Sequence, residues 1–524
     1  MPHPVGSRNT NDRPTDARST PRTQLCPPKS HQQERHTAVL HTRDGVRPMN
    51  SESQVLVVGA GPTGLVAATA LARRGVDVRL VERRTRHDPH AKAITLWPRA
   101  VDALTRLGAG DHLRELALPL VALTYHANGR KIATINFPAD QGRFIGPISL
   151  PQSDTEHVLR TALHEAGAEV EYDTELTGLT QQKDCIEAEL STGQHRAQWA
   201  LGCDGFRSPV REAIGTPFEG APYSQVFGLV DGHWDTPLTQ NHAHYFMSPH
   251  GVLVVVGLPN SQFRAFVTLP AQPNPDEDIT NLVAELAAER CPVPIRLEKP
   301  IGQGFFGIQR RIARTFRTGR VLLAGDAAHV HSPAGGQGIN TGILDADEAA
   351  WRLAGILKGT LPQDTLDQWA RERRHVATQV VSDTDRQTRL WTATGWRRAA
   401  RDVTARVAER YGLLDRLMAP RMAQLDLVYP TDPATRHRSG LTLGSYVPNL
   451  PRPGGGSLHD LLHPDHSVVL PLEPALRRTL RAGRSRSVLV RPDGVVAALN
   501  RRSVDAQTQP LRHTIPRDKG SSTA

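Results

Sequence analysis

The stretch Val55-Leu-Val-Val-Gly-Ala-Gly-Pro-Thr-Gly64 constrains this chain more than any other. Four apolar residues, the length of a short buried strand, run into Gly59, Gly61 and Gly64. Gly59 permits a tight turn, Gly61 lets the backbone approach a pyrophosphate, and Gly64 lets a helix pack close to the strand. Thr63–Arg74 has helical spacing, with Leu65, Ala68 and Leu71 on one face and Gly75 as a C-cap. The N-terminus of such a helix offers free N–H groups and the positive end of its dipole. Val76, Val78 and Leu80 alternate with Asp77 and Arg79, so a second strand follows. Glu82 stands at its end, 18 residues after Gly64, where a carboxylate accepts hydrogen bonds from a ribose diol. A GxGxxG alone is weak evidence. In a strand–helix–strand unit with a terminal acid it predicts an adenine dinucleotide. Gly302-Gln-Gly-Phe-Phe-Gly307 repeats the spacing, but no helix and terminal acid follow it, so it reads as chance.

A chain of 524 residues exceeds one ordinary core and implies two or three domains. The formal charge is +10; residues 1–48 hold eight Lys/Arg against four Asp/Glu, so part of the excess lies in that tail. No zinc spacing, RNA-binding aromatic motif or compact basic stripe accompanies the charge, and a nucleic-acid partner is not expected. A basic surface that attracts anionic phosphates is the simpler reading. Cys26, Cys185, Cys203 and Cys291 form no CxxC pair, which leaves no expected metal site and suits a reducing cytoplasm. No apolar run reaches the roughly 18–20 residues of a membrane span, and no signal sequence follows Met1, so no membrane partner is expected. Residues 1–48 are rich in Pro, Ser, Thr, Arg and His and read as a disordered tail, as do residues 501–524. Met49 precedes the first strand, and a start at that residue is an open alternative.

Further on, Val101, Leu104 and Leu107 mark a helix face, and short strands with an Asn128-Gly129 turn fill Leu116 to Pro138. Gln152 precedes a helix carrying Val158, Leu159, Ala162 and Leu163. Trp199-Ala-Leu-Gly-Cys-Asp-Gly205 reads as a strand ending at Asp204-Gly205. Phe218 to Leu297 alternates like strands, notably Gly251–Leu258 and Phe263–Leu269, with one amphipathic helix at Ile279–Ala288. Val321–Ala324 is a strand ending at Gly325-Asp326, and a glycine-rich loop then enters a helix from Ile339 to Leu357. After Asp364 a long basic helical tract is expected to about Leu425, with Arg371, Arg373, Arg374, Arg397 and Arg398 on a solvated face. From Pro430 onward Pro and Gly rise, and strands Ser467–Leu470 and Ser487–Val490 flank an Arg-rich interval.

Three strand-end sites therefore occur in fixed order: Gly59/Gly61/Gly64 with Glu82, then Asp204-Gly205, then Gly325-Asp326. The set resembles the class A FAD-dependent monooxygenases, the family of para-hydroxybenzoate, phenol and aromatic polyketide hydroxylases and of rifampicin monooxygenase. The resemblance covers about residues 53–385, and more loosely the rest of the chain. It implies an α/β fold: a Rossmann-like FAD-binding domain, an inserted mostly β substrate domain and a reduced thioredoxin-like C-terminal region. The divisions it implies are FAD-binding segments at 51–115, 151–217 and 306–385, and substrate-domain segments at 116–150 and 218–305. A helical region at 386–430 and the shortened thioredoxin-like region at 431–500 complete them.

The resemblance also assigns roles. Gly59, Gly61 and Gly64 would hold the FAD pyrophosphate and Glu82 the adenosine ribose. Lys92 would lie near the phosphates and Gln152 against the flavin. Asp204 and Gly205 match a motif tied to both FAD and NAD(P)H. Asp326, after Gly325, would bind the ribityl chain. Pro333 through Thr341 would pass under the flavin ring, with Pro333 and Gly338 lining it and N–H groups near Gly338, Ile339 and Asn340 stabilising the charge of reduced flavin. NAD(P)H would be a co-substrate, O2 the oxidant, and a flavin C4a-hydroperoxide the hydroxylating species on an aromatic small molecule. No protein acid or base is then obligatory. His329, His331, His244 and Tyr245 are read as structural. Ring expansion, epoxidation or antibiotic inactivation are neighbouring chemistries, and a non-catalytic flavin-binding protein is the alternative class. Two departures stand out. His375 replaces the usual proline after Glu372-Arg373, and the C-terminal region, ending in Val490-Arg-Pro-Asp-Gly494, lacks a CxxC. That region would serve packing or dimerisation, a homodimer being the partner this allows.

Overall fold

The computed structural model describes residues 52–87, 93–137, 146–248, 250–274, 277–430, 441–452 and 455–500. Both expected disordered tails and Lys92 lie outside these residues.

The Val55–Val58 run is the centre of a mostly parallel sheet. Its strand, Glu52–Val58, lies between Val78–Val81 and Gly193–Gly202, parallel to both. Val321–Leu323 adds beyond Gly193–Gly202 and Val170–Glu171 beyond Val78–Val81, also in parallel. Val55, Leu56 and Val57 are fully buried at the centre of this sheet. The helices Pro62–Ala72, Gln152–Glu165 and Gly338–Leu357 pack together on it, and the first and last of these are in extensive contact.

A second eight-stranded sheet carries Ala122–Ala127, Arg130–Asn136 and five strands between Phe218 and Ala313, with His329–Val330 at its edge. Asn128 and Gly129 both have positive φ, which makes the expected tight turn between the first two strands. Ile279–Arg290 covers one face of this sheet, seating Val283 and Ala287 on Phe263, Ala265 and Val267. Gly302–Gly307 lies inside the strand Arg296–Ala313 and makes no dinucleotide turn. That strand also runs through the expected division at residue 306 and pairs with His329–Val330, joining the second sheet to the Gly325-Asp326 turn.

Two expectations change. The basic tract is three helices, Thr365–Trp391, Gly395–Arg410 and Leu413–Met422, broken before Gly395 and at Gly412, where φ is 62°. Its arginines do not all face solvent: Arg373 is fully buried among carboxylates. The C-terminal strands Val468–Pro471, Ser487–Val490 and Val496–Asn500 form an antiparallel sheet with its own core, and Pro474–Thr479 adds a helical turn within the Arg-rich interval.

Candidate cofactor and substrate site

One cavity of about 880 Å³ runs from the first glycine turn to the second sheet. At one end, Gly59 has φ +97°, and a Cβ there would lie 2.5 Å from the Cys203 carbonyl oxygen. At Gly64 a Cβ would lie 1.8 Å from the Gly59 carbonyl oxygen, so only glycine lets the helix Pro62–Ala72 close onto the turn. Gly61 differs: a Cβ would meet nothing within 4 Å, because that face opens into the cavity. The helix starts with Pro62 and has no side-chain cap, which leaves N–H groups for a ligand. Glu82 completes this end. One carboxylate oxygen accepts from the Ala60 N–H at 2.9 Å and the other from the Arg84 N–H at 3.0 Å, fixing the acid beside the turn.

Midway, Asp204 accepts from the Val210 N–H at 3.0 Å through Oδ2, while Oδ1 is buried without a partner. Burial pushes its carboxyl pKa up against the hydrogen bonds that favour ionisation. Gly205, at φ +81°, makes the turn that follows. Gln152 bridges Ala93 N–H and Glu156 at the start of its helix. Gly325 has φ +60° and donates its N–H to Asp345 at 3.0 Å, leaving the Asp326 side chain exposed toward the cavity.

The far end is the loop before the helix Gly338–Leu357. Gly335 and Gly336 both have positive φ. The Trp97 indole N–H donates to the Gly335 carbonyl at 2.9 Å, and Asn340 Nδ2 donates to Gly336 at 2.8 Å and Thr95 at 2.9 Å. Asn340 also accepts from the Trp97 backbone N–H at 2.6 Å. The loop is thus pinned from behind, and Pro333, Gly338 and Ile339 face the cavity.

Most residues singled out in the sequence therefore converge on one cavity. Gly64, Gly325 and Asn340 stand behind its wall and shape it. The two motif histidines separate. His329 is buried and donates to Asp345 at 2.7 Å. His331 lines the cavity, donates through Nδ1 to the Ser332 carbonyl at 2.9 Å, and is kept neutral by burial, its pKa lowered to about 4. His244 has the expected packing role, bonded to Thr124 and the Thr239 carbonyl. Tyr245 does not. Its ring lines the cavity, stacked on Tyr125 with Trp391 5.2 Å away.

Sequence reasoning missed the rest of this wall: Arg264, Phe266, Phe306 and Trp391. Phe266 stacks on Phe227 at 4.6 Å, with Phe306 5.8 Å away, giving an aromatic shelf. Arg264 holds Asp231 through two bonds of 2.6 Å beside it. The signal was an arginine two residues before Phe266 in an apolar alternating strand, which places both on one face.

The sequence matches the family described as "FAD binding domain" over residues 52–384. Over 469 residues it is 32% identical to 6-methylpretetramide 4-monooxygenase of Streptomyces rimosus, covering 85% of this chain and 81% of that one. The chain belongs to this family of FAD-dependent monooxygenases. Within the family it is also 27% identical to rifampicin monooxygenase of Rhodococcus hoagii, over 87% of this chain and 97% of that one. The solved OxyS anhydrotetracycline hydroxylase from Streptomyces rimosus superposes with a TM-score of 0.69 at 26% identity, over 86% of this chain and 96% of that one. The donor set fits FAD. The uncapped helix start and the open side of Gly61 suit a pyrophosphate, and the unpartnered Asp204 oxygen and the Asp326 side chain offer acceptors to hydroxyl groups. Among the described residues no cluster suits a metal ion, and no helix is long and apolar enough to cross a membrane.

Proposed function

We propose that this monooxygenase uses NAD(P)H and O2 to hydroxylate an aromatic small molecule, phenolic or polyketide-like, in the cytoplasm. One observation carries the reading: a single cavity joins a dinucleotide turn to an aromatic shelf. FAD, when bound, accepts hydride and activates O2; the chain supplies position, charge and dryness.

Gly59, Gly61 and Gly64 shape the pyrophosphate seat, Glu82 takes the adenosine ribose, and Asp326 takes the ribityl hydroxyls. Gln152, Asp204 and Gly205 face the middle of the cofactor. Pro333, Gly338 and Ile339 line the ring, with Asn340 holding their loop. The free N–H groups at the start of the Gly338 helix face the ring end, where they favour negative charge on the reduced cofactor. Phe266 and Phe306 offer faces for a planar substrate, and Tyr245 offers a hydroxyl. The parallel sheet would form the cofactor domain and the second sheet the substrate domain, with the C-terminal sheet packing against the first.

The experiment is direct. The purified protein is expected to be yellow, and to oxidise NADPH or NADH with O2 uptake when given members of a phenol and polycyclic aromatic panel. A hydroxylated product located by NMR supports the reading; NAD(P)H consumption by no panel member overturns it. The likeness to rifampicin monooxygenase favours one second reading, oxygenation of an antibiotic, which rifampicin in the same panel tests.

A further inference from the structure

The C-terminal region grips two helices, one that starts at the cavity and one tied to the loop before it. The latter is Pro98–Arg106, which follows Trp97, the residue bonded to Gly335 and Asn340. Tyr446 and Asn449 donate to its Asp102 at 2.8 and 3.1 Å, and its Arg106 bonds His459 at 3.1 Å. Arg106 also bonds Asp347 of the second helix, Gly338–Leu357, at 2.9 Å.

The stronger grip is ionic. In the turn between the last two strands, Arg491 holds Asp493 at 2.7 Å and reaches Glu372 at 2.9 Å. Glu372 accepts from Arg352 at 2.9 Å, and Arg352 in turn donates to the Glu348 carbonyl at 2.8 Å. Glu348 accepts from Arg373 at 3.2 Å, and Tyr429 adds its hydroxyl to the same carboxylate. Arg373 then donates to Asp345 at 2.7 Å and to the Thr341 carbonyl at 3.2 Å. Asp345 accepts the Gly325 N–H, one residue before Asp326. Every link is buried. With Arg99, which also donates to Glu348, four arginines face four carboxylates, Asp345, Glu348, Glu372 and Asp493.

Eight buried ionisable groups are a costly way to fill a core, since apolar residues of the same volume often do as well or better. What ions provide is a fixed relative geometry. Here the fixed points are the C-terminal turn at one end and, at the other, the Gly325-Asp326 turn and the first turn of the Gly338 helix.

We propose that the C-terminal region is a positioning element for the cofactor site. Through Arg491 and Asp493 it holds the Gly325-Asp326 turn and the start of the Gly338 helix in their binding geometry. The inference rests on the cofactor reading above. Arg491 and Asp493 touch no ligand; they act through Glu372, Arg352, Glu348, Arg373 and Asp345.

Linkage makes the coupling reciprocal: if the C-terminal turn favours FAD, FAD favours the C-terminal turn. Arg491→Met, Arg491→Lys and Asp493→Asn are compared with Arg478→Met, an exposed arginine of the same region. FAD affinity is read by flavin fluorescence on the full chain. Arg491→Met is expected to weaken FAD by about tenfold, with partial recovery in Arg491→Lys and no change in Arg478→Met. An Arg491→Met protein that melts earlier yet binds FAD within about twofold of wild type overturns the proposal. A purely stabilising role gives that result. Should the variants not fold, hydrogen exchange on the wild-type chain decides. FAD is expected to slow exchange of amides at 487–500, and unchanged exchange there overturns the proposal. FAD that binds without supporting oxygenation overturns the function reading alone and leaves this linkage measurable.

Discussion

Tyr245 lies on Tyr125 with ring centroids 4.8 Å apart and planes inclined by 19°. Trp391 also packs on Tyr245, with ring centroids 5.2 Å apart and planes tilted by 45°. The Tyr245 ring is therefore held in one orientation while it lines the cavity. Burial pushes its pKa well up, so the phenol keeps its proton and can donate. Tyr245→Phe keeps the stack and removes the donor. It is expected to raise KM for a hydroxylated substrate by about tenfold, the worth of one hydrogen bond, with FAD content unchanged. Tyr245→Ala also removes the stack and should lower kcat as well as raise KM. Equal kinetics for wild type and Tyr245→Phe would show that the hydroxyl makes no substrate contact.

Asp326→Ala is expected to lose bound FAD, because the side chain faces the cavity from a turn that Gly325 and Asp345 hold rigid. The absorbance ratio of flavin to protein in the purified variant checks this. Full flavin occupancy sinks the ribityl assignment. Asp326→Asn keeps an acceptor and should retain part of the binding.

The two kinds of site residue differ in how readable they were. Gly59, Gly61, Gly64 and Glu82 sit in one local strand–turn–helix–strand unit, so spacing alone carries their meaning. Asp204 and Asp326 are likewise local, each at a strand end beside a glycine. The substrate wall is not local. Tyr245, Arg264, Phe306 and Trp391 come from four separate segments, and only the sheet register and the Thr365–Trp391 helix bring them together. Arg373 was misread for a related reason. Helical periodicity gives the direction of a side chain but not what stands opposite, and its carboxylate partners are on another helix.

His459 offers a pH test. Its Nε2 donates to the Val447 carbonyl at 2.7 Å and its Nδ1 accepts from Arg106 at 3.1 Å, which fixes a neutral ring. Burial, aided by Arg106, lowers its pKa to about 4. The unfolded value is about 6.5, so the unfolded chain binds the extra proton first. Stability from this group is full above about pH 6.5 and falls as the pH drops toward 4. Urea unfolding at pH 7, 6 and 5 should show stability declining with pH. His459→Gln should start less stable but decline less steeply. A slope identical to wild type would mean that His459 does not carry this pH dependence.

Gly61 and Gly64 predict opposite failures from neighbouring positions. At Gly64 an added methyl collides with the Gly59 carbonyl oxygen, inside the contact between strand and helix. Gly64→Ala should therefore unfold or destabilise the whole cofactor sheet, with lower soluble yield and an earlier melt. At Gly61 the methyl enters open space, on the side that faces the cavity. Gly61→Ala should fold and, without FAD, melt close to wild type. The methyl would then occupy the path by which the backbone approaches the pyrophosphate, so FAD affinity should fall by about tenfold or more. Melting curves with and without added FAD separate the two. Gly61→Ala should lose the FAD-induced rise in Tm that wild type shows, and a full rise would place the pyrophosphate elsewhere.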